Sequence, residues 1–171
     1  VARPRGAGCN RAMTEHMSVK ESWDNIAAAV AANPPATDED IARVEQRIGA
    51  TLPTDVAQSL RLHNGITESA MWDAFDEEEP PFNGWLLSCD EIIAEWEIWK
   101  GLYDTEDWGD SWWTPNLVSM TADGGGNSIV VDARTGEVRF MDHEIGVSDV
   151  RNGSWASFLE ETARAIRGKK A

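Results

Sequence analysis

Apolar residues in the first third of the chain recur at the spacing of α-helices. An alanine-rich helix is predicted over residues 20–32, because the Asn33-Pro34-Pro35 stretch that follows cannot continue it. A second helix is predicted from Thr37 to Gly49, since Thr37 can cap it and three acidic residues then meet the positive end of the helix dipole. Three residues form its apolar stripe: Ile41, Val44 and Ile48.

A third, shorter helix is predicted after Leu52-Pro53. Thr54 is placed at its N-cap, and Val56 and Leu60 would face the core. The helix is expected to end at Asn64-Gly65, where glycine can take the left-handed conformation. The N-terminal third is therefore predicted to be helical.

A short apolar strand, Trp85-Leu86-Leu87, precedes the clearest helix start in the chain. Ser88-Cys89-Asp90-Glu91 has the spacing of a capping box. Beyond it, four large side chains fall on one helical face at spacings of four, three and four: Ile92, Trp96, Trp99 and Tyr103. Trp96 and Trp99 are therefore predicted to be buried.

Three strands and a final helix complete the predicted elements. The strands are placed over residues 116–121, 128–133 and 137–142. Their connections are short, so antiparallel pairing is expected. Ser154 is placed as the cap of the last helix. Its predicted inner face consists of Trp155, Phe158, Leu159, Ala163 and Ile166.

This order of elements predicts an α+β fold, an antiparallel sheet with helices packed beside it. The chain has 171 residues, which suits one domain, and that domain is placed over residues 18–168. Residues 1–17 lack apolar periodicity and are interpreted as a disordered leader or cloning-derived sequence. No stretch approaches the roughly 18 uninterrupted apolar residues of a membrane span, so a cytoplasmic protein is expected.

The sequence TADGGGNSIVVDARTGEVRF, residues 121–140, places three consecutive glycines between two apolar segments. A phosphate-binding loop needs a helix behind its glycines, whereas here a strand-forming run follows. The glycines are therefore predicted to supply positive φ in a hairpin. Asp123, Asp132 and Asp142 lie near strand ends, where capping of turns is the favoured role and a divalent-ion cluster is the alternative.

The net charge of −15 is concentrated in the middle of the chain. Residues 68–110, the acidic segment, contain 14 acidic side chains and one basic side chain, Lys100. Such a field repels phosphate backbones and attracts basic proteins, so direct nucleic-acid binding is not expected. The run Asp76-Glu77-Glu78-Glu79, taken alone, is more typical of a solvated loop.

Seven of the nine tryptophans lie in or beside the acidic segment, which favours a recognition surface, because tryptophan often anchors protein interfaces. The residues assigned to this partner-binding surface are Trp72, Asp76, Glu77, Glu78, Glu79, Trp108, Asp110, Trp112 and Trp113. Trp108, Trp112 and part of residues 73–83 are expected to be exposed, since they follow no helical spacing.

No catalytic residue, metal ligand or cofactor is predicted. The histidines, His16, His63 and His143, form no His-x-x-x-His pair, and no Cys-x-x-Cys motif is present. His143 beside Asp142 could be an oriented base, but no nucleophile lies in a recognisable context such as Gly-x-Ser-x-Gly. An enzyme that uses the aspartates is therefore the least favoured class.

Five short motifs occur in a characteristic order along residues 22–166. They are Leu52-Pro53 before a short helix, Asn64-Gly65 after it, GWLLSCDEII at 84–93, WWTPNLVSMTADGGGNSIVVDARTGEV at 112–138 and SWASFLEE at 154–161. As a set they resemble the SUKH superfamily, which includes the yeast cell wall assembly regulator and many bacterial immunity proteins. The resemblance implies an α+β protein-binding domain with no catalytic residues to transfer. The acidic DAFDEEEPPFNG segment, residues 73–84, is not fixed by the family pattern.

For bacterial members, the resemblance implies neutralisation of a toxin, often a nuclease or another enzyme that modifies nucleic acid. The charge argues independently for the same role, because such a toxin presents a basic cleft that carboxylates and indoles can occupy. The protein is therefore predicted to be a non-catalytic immunity protein that neutralises a basic cognate toxin by occlusion. An intracellular scaffold or regulatory module, which would bind several partners weakly, is the alternative.

Overall fold

A computed structural model of the protein describes residues 16–75, 82, 84–107 and 109–169. Within these ranges the chain forms six helices and six strands. They are α1 (Val19–Ala27), α2 (Asp38–Ile48), α3 (Thr54–Leu62), α4 (Glu68–Phe75), β1 (Trp85–Leu86), α5 (Cys89–Thr105), β2 (Leu117–Ser119), β3 (Thr121–Ala122), β4 (Ser128–Asp132), β5 (Val138–Asp142), β6 (Gly146–Asn152) and α6 (Trp155–Lys169). The predicted α+β class is confirmed.

Three of the helices begin with a capping box. Ser18, Thr37 and Ser88 precede α1, α2 and α5, and each side chain accepts a hydrogen bond from the N–H three residues further on. The acidic residue at that third position accepts a hydrogen bond from the N–H of the cap in return. Gly49 ends α2 with a left-handed φ of 71°. The predicted caps at Thr37 and Ser88 are thus confirmed.

The first helix is shorter than predicted. α1 ends at Ala27, and the next residues turn before the chain becomes extended. Asn33 then donates its N–H to the Gly65 carbonyl, and Asn64 donates its N–H to the Pro34 carbonyl, both at 3.0 Å. This pairing between distant segments requires extended backbone, which explains why the alanine-rich helix does not reach residue 32.

The third helix also differs at both ends. Pro53, not Thr54, occupies the N-cap position, and α3 ends at an extended His63 rather than at Asn64. Gly65 has the expected positive φ, 79°, but here it allows two segments of the chain to approach closely. A Cβ on Gly65 would lie 2.5 Å from the Leu86 carbonyl oxygen, so only glycine fits without a shift.

Helix α4 was not predicted. Thr67 caps it, because its Oγ1 accepts a hydrogen bond from the Ala70 N–H at 3.2 Å. Met71 and Phe75 are buried one turn apart, whereas Trp72 remains 48% exposed. Two inward residues in an acidic stretch are too few to distinguish a helix from a loop in the sequence.

The strands form two antiparallel sheets, one of four strands in the order β2-β4-β5-β6 and one of two strands, β1 and β3. Met120 separates β2 from β3, and it hydrogen-bonds on its two sides to Leu87 and Ile129. The strand predicted over residues 116–121 is therefore divided between the sheets. Strand β6 was not predicted, because it is an irregular edge strand without alternating burial.

The helices bury a core rich in tryptophan. α1 packs against α6 and α3, α2 packs against α5, and α5 packs against β2. The four rings predicted to be buried are buried: Trp96, Trp99, Trp155 and Phe158. Ser154 caps α6 as predicted, since its Oγ accepts the Ser157 N–H at 3.1 Å. Among the described helices, none has both the length and the apolar character that crossing a membrane requires.

Residues at the start of the described chain contact the domain. His16 Nδ1 lies 3.2 Å from Glu160 Oε2, and Met17 packs against the core. The remainder of the predicted leader, residues 1–15, lies outside the described residues.

Candidate functional site

Residues 123–127 form the glycine-rich turn between β3 and β4. The Asp123 carboxylate accepts hydrogen bonds from the Gly125 and Asn127 N–H groups, at 2.7 and 3.0 Å, and from the Asn127 side chain at 2.8 Å. Burial raises the pKa of Asp123, but these hydrogen bonds outweigh it and hold the pKa below its ordinary value. Gly124 and Gly126 have φ values of 74° and 99°, and β2 and β4 pair antiparallel across this connection, so the hairpin interpretation is confirmed.

The other two aspartates near strand ends also cap turns. Asp132 Oδ1 accepts the Arg134 N–H at 2.8 Å, and Asp142 Oδ1 accepts the Glu144 N–H at 2.8 Å. The favoured capping role is confirmed for all three aspartates. In the part of the chain that the structure describes, no group of three or more His, Cys, Asp or Glu side chains could hold a metal ion.

His143 is positioned by the Asn127 amide rather than by the Asp142 carboxylate. Its Nδ1 lies 3.0 Å from Asn127 Oδ1, and its backbone N–H donates to the same oxygen at 3.1 Å. His143 thus ties the β5–β6 connection to the glycine-rich turn. In the structure Asp142 does not orient the His143 ring, so the alternative of an oriented base is not supported.

On its α2 side, helix α5 presents carboxylates that already have cationic partners. Arg43 contacts Asp90 at 2.9 Å, and Arg47 contacts Glu97 at 2.5 Å. These side chains are substantially exposed, so each pair contributes little to stability. The pairs nevertheless neutralise the acidic charge where α2 and α5 meet.

The opposite side of α5 faces a groove of about 280 Å³, which we call the α5 groove. Helix α5 contributes Glu95, Ile98 and Trp99 to its wall, and strands β1 and β3 contribute Trp85 and Ala122. The glycine-rich turn closes the groove with Gly124, Gly126 and Asn127. Ile98 is 57% exposed and gives the groove an apolar rim.

Glu95 is the half-buried carboxylate of the α5 groove. No cationic side chain among the described residues forms an ion pair with it. Burial raises the pKa of Glu95, and the neighbouring charges of Asp123 and Glu91 raise it further. The folded protein therefore holds a carboxylate here that is less stable in its charged form than an exposed one.

The predicted partner-binding residues near the end of α5 have different exposures. Asp110 is exposed and accepts a hydrogen bond from the Tyr103 hydroxyl at 2.8 Å, which raises the pKa of Tyr103. Trp112 was predicted to be exposed but is half-buried, because its ring packs against the core; its carbonyl oxygen accepts the Val147 N–H at 3.1 Å. Trp113 is only 2% exposed, so its assignment to the surface is corrected. Its ring lies against the α5 rings at centroid distances of 6.4 Å to Trp96 and 5.8 Å to Tyr103.

The rest of the predicted surface lies on α4 or outside the described residues. Trp72 projects from α4 as expected for a contact residue. The acidic run Asp76, Glu77, Glu78 and Glu79 and the ring of Trp108 lie outside the described residues. Their role in binding, like that of Trp72, Asp110 and Trp112, remains a prediction.

A comparison with protein families is decisive for residues 35–161, where the model of the SMI1 / KNR4 family (SUKH-1) matches. The chain belongs to this family. It is also 31% identical over 91 residues to a protein of Neurospora crassa named "Glucan synthesis regulatory protein". That match covers 48% of this chain and 16% of the relative, so this chain spans only a small part of the relative's length. Membership of the SMI1/KNR4 family supports a non-enzymatic domain.

Within this SMI1/KNR4 domain, Glu95 and Ile98 line the α5 groove but were not predicted to be functional residues. The signal was present, because Ile98 falls outside the Ile92-to-Tyr103 stripe and lies three residues from Glu95, on the same helical face. The facing wall could not be predicted, since Trp85 and the glycine-rich turn are brought to α5 only by the pairing of β1 with β3.

Proposed function

We propose that this SMI1/KNR4 domain is an immunity protein that neutralises a basic, nucleic-acid-targeting toxin by occupying the toxin's cleft. The observation that carries the proposal is the charge of the acidic segment, 14 acidic side chains against one basic. A field of this strength raises the rate of encounter with a basic protein and repels nucleic acid.

Aromatic and aliphatic side chains beside this charge provide contacts that slow dissociation. Trp72 and Ile98 are both exposed, at 48% and 57%. Exposed indoles beside carboxylates are suited to interface anchors, because burial of a large ring adds affinity after electrostatic encounter. Inhibition by occlusion requires only that the complex be stable, and it needs no catalytic group.

A regulatory module is the second candidate. It is considered because the chain is 31% identical over 91 residues to the protein named "Glucan synthesis regulatory protein". The two functions differ in their binding: an immunity protein has one tight partner, whereas a regulatory module binds several partners weakly.

The test is co-expression with the product of the adjacent gene in a bacterial host. An immunity protein restores growth when the product is toxic, and the two proteins form a stable one-to-one complex whose association slows as salt is added. A toxic product that still kills the cells and shows no binding to this protein in calorimetry would overturn the proposal. Binding of several unrelated proteins, each weakly, would favour the regulatory module.

A further inference from the structure

We propose that the α5 groove is an arginine-binding site, in which Glu95 pairs with a guanidinium group of the partner protein. The inference rests on the proposed function in one respect, namely that the partner is basic. It adds the place on this domain where one of the partner's cations is held and the residues that hold it.

The charge of the groove is suited to a cation. Glu95 has no cationic partner among the described residues, and Asp123 and Glu91 are close enough for their negative charges to act on it. Asp123 and Glu91 are occupied by hydrogen bonds within the fold, Asp123 in the glycine-rich turn and Glu91 in the capping box with Ser88. Glu95 is therefore the carboxylate of this group that a ligand can engage.

A cation in the groove also removes an unfavourable interaction. The charged form of Glu95 is disfavoured by burial and by its acidic neighbours. The positive charge of a guanidinium group would offset the repulsion between Glu95 and its acidic neighbours, and in the half-buried groove this attraction is screened less than at a fully solvated carboxylate.

The walls of the groove favour a flat cation on a long apolar stem. Trp85 of β1 and Trp99 of α5 both line the groove. Their indole rings are suited to the site because the face of an indole attracts a guanidinium group. Ile98 offers aliphatic contact for the methylene groups of the stem at the mouth. Gly124 lies beside the Trp85 ring, since a Cβ at Gly124 would be in ordinary van der Waals contact with Trp85 Cη2, at 4.0 Å.

The other side of the same helix already shows the contact that we propose. Arg47 crosses from α2 to meet Glu97 of α5, and Arg43 crosses to meet Asp90. Those arginines belong to the chain itself. In the α5 groove no arginine of the described chain takes the equivalent place, and the partner supplies it.

The direct test is NMR titration of the full chain, labelled with nitrogen-15, with the peptide acetyl-Gly-Gly-Arg-Gly-Gly-amide. We expect shifts of the Trp85 indole N–H and of the Gly124 and Gly126 amides. The citrulline peptide, which has the same shape without the charge, should produce none. Shifts spread evenly over the exposed carboxylates, or equal shifts with citrulline, would overturn the inference.

Two pairs of variants locate the site. Glu95→Gln should weaken binding of the arginine peptide roughly tenfold. Glu97→Gln removes the same charge from the α2 side of the helix and should leave the affinity for the peptide unchanged. Ile98→Lys should also block the peptide by placing a tethered ammonium beside Glu95. Val150→Lys places a lysine at another exposed aliphatic position and should have no effect. Equal losses within either pair would contradict a defined site.

The same variants separate this inference from the proposed function. If the adjacent-gene toxin is neutralised with unchanged affinity by Glu95→Gln and Ile98→Lys, the groove is not the binding site while the immunity function stands. If the arginine peptide binds the groove and no toxin is neutralised, the immunity function fails while the arginine site stands.

Discussion

The two sides of helix α5 differ in how their carboxylates are compensated. On the α2 side, Asp90 and Glu97 meet arginines of the chain. On the groove side, Glu95 is half-buried without such a partner, and Ile98 beside it is exposed. One helix with one acidic composition therefore has two electrostatically different sides. The paired side belongs to the packing of α2 on α5, and the uncompensated side is available to a ligand.

The acidic composition does not by itself show where the surface is most negative. The net charge of −15 suggests a uniformly acidic surface, but ion pairs remove part of the field where helices meet. The remaining field is directed by the carboxylates that lack such pairs. Position within the fold, more than the number of acidic residues, therefore determines where a basic partner would bind.

The largest expected effect comes from breaking the support that both sides of α5 share. Trp113 packs against Trp96 and Tyr103, so Trp113→Ala should lower the free energy of unfolding by about 3–5 kcal/mol. Urea denaturation followed by circular dichroism measures the loss. The control is Trp72→Ala, which removes the same ring from an exposed position and should cost less than about 1 kcal/mol. Similar losses for the two variants would contradict the core position of Trp113.

Elements of this fold could be predicted where neighbouring residues in the sequence determine them, as at helix caps and turns. Thr37 stands before three acidic residues and an apolar stripe, and Ser88 opens a capping box, so the beginnings of α2 and α5 were predicted correctly. The glycine-rich turn was interpreted correctly, because the strand that follows it excludes a phosphate-binding loop.

Features that depend on distant contacts could not be predicted. Trp113 follows no helical spacing, and its burial arises because the segment after α5 folds back over Tyr103. The end of α1 is set by pairing with the segment after α3. For the α5 groove, the sequence contained one wall, Glu95 and Ile98, whereas only the fold brings Trp85 opposite them.

A second prediction concerns the rate of encounter with the partner. Reversal of Asp76, Glu77, Glu78 and Glu79 to lysine should slow association by about tenfold and weaken its salt dependence, because the steering field is reduced. Stopped-flow measurements with the adjacent-gene product at several salt concentrations test this. Replacement of Glu39 by lysine, in the first turn of α2, reverses one charge outside the acidic segment and is the control. An unchanged association rate for the fourfold variant would argue against steering.

The half-buried carboxylate of Glu95 predicts how the stability of the protein depends on pH. The folded state holds the pKa of Glu95 above its ordinary value, so between the unfolded and folded pKa values the folded chain binds more protons and stability falls as pH rises. Glu95→Gln should therefore stabilise the protein at pH 7. The gain should vanish once the pH is low enough to protonate the carboxyl in both states, as thermal unfolding across this pH range would show. A variant that is less stable than the parent at pH 7 would contradict an uncompensated charge.

The smallest expected effect lies on the paired side. Arg47→Ala removes an exposed ion pair with Glu97 and should change the free energy of unfolding by less than about 1 kcal/mol. Affinity for the arginine peptide should not change, because the lost charge lies away from the α5 groove. Chemical denaturation and the NMR titration provide the two readings. A gain in peptide binding at the newly freed Glu97, comparable with that at Glu95, would mean that any unpaired carboxylate of α5 suffices.

The most direct test compares how strongly two variants, one altered on each side of α5, bind the natural partner. Calorimetry with the adjacent-gene product should show a loss of roughly tenfold or more for Glu95→Gln and no more than a small change for Glu97→Gln. Both variants lose one negative charge from the same helix, so a difference between them isolates the groove. Equal affinities for the two variants would contradict the claim that the uncompensated side of α5 is the binding side.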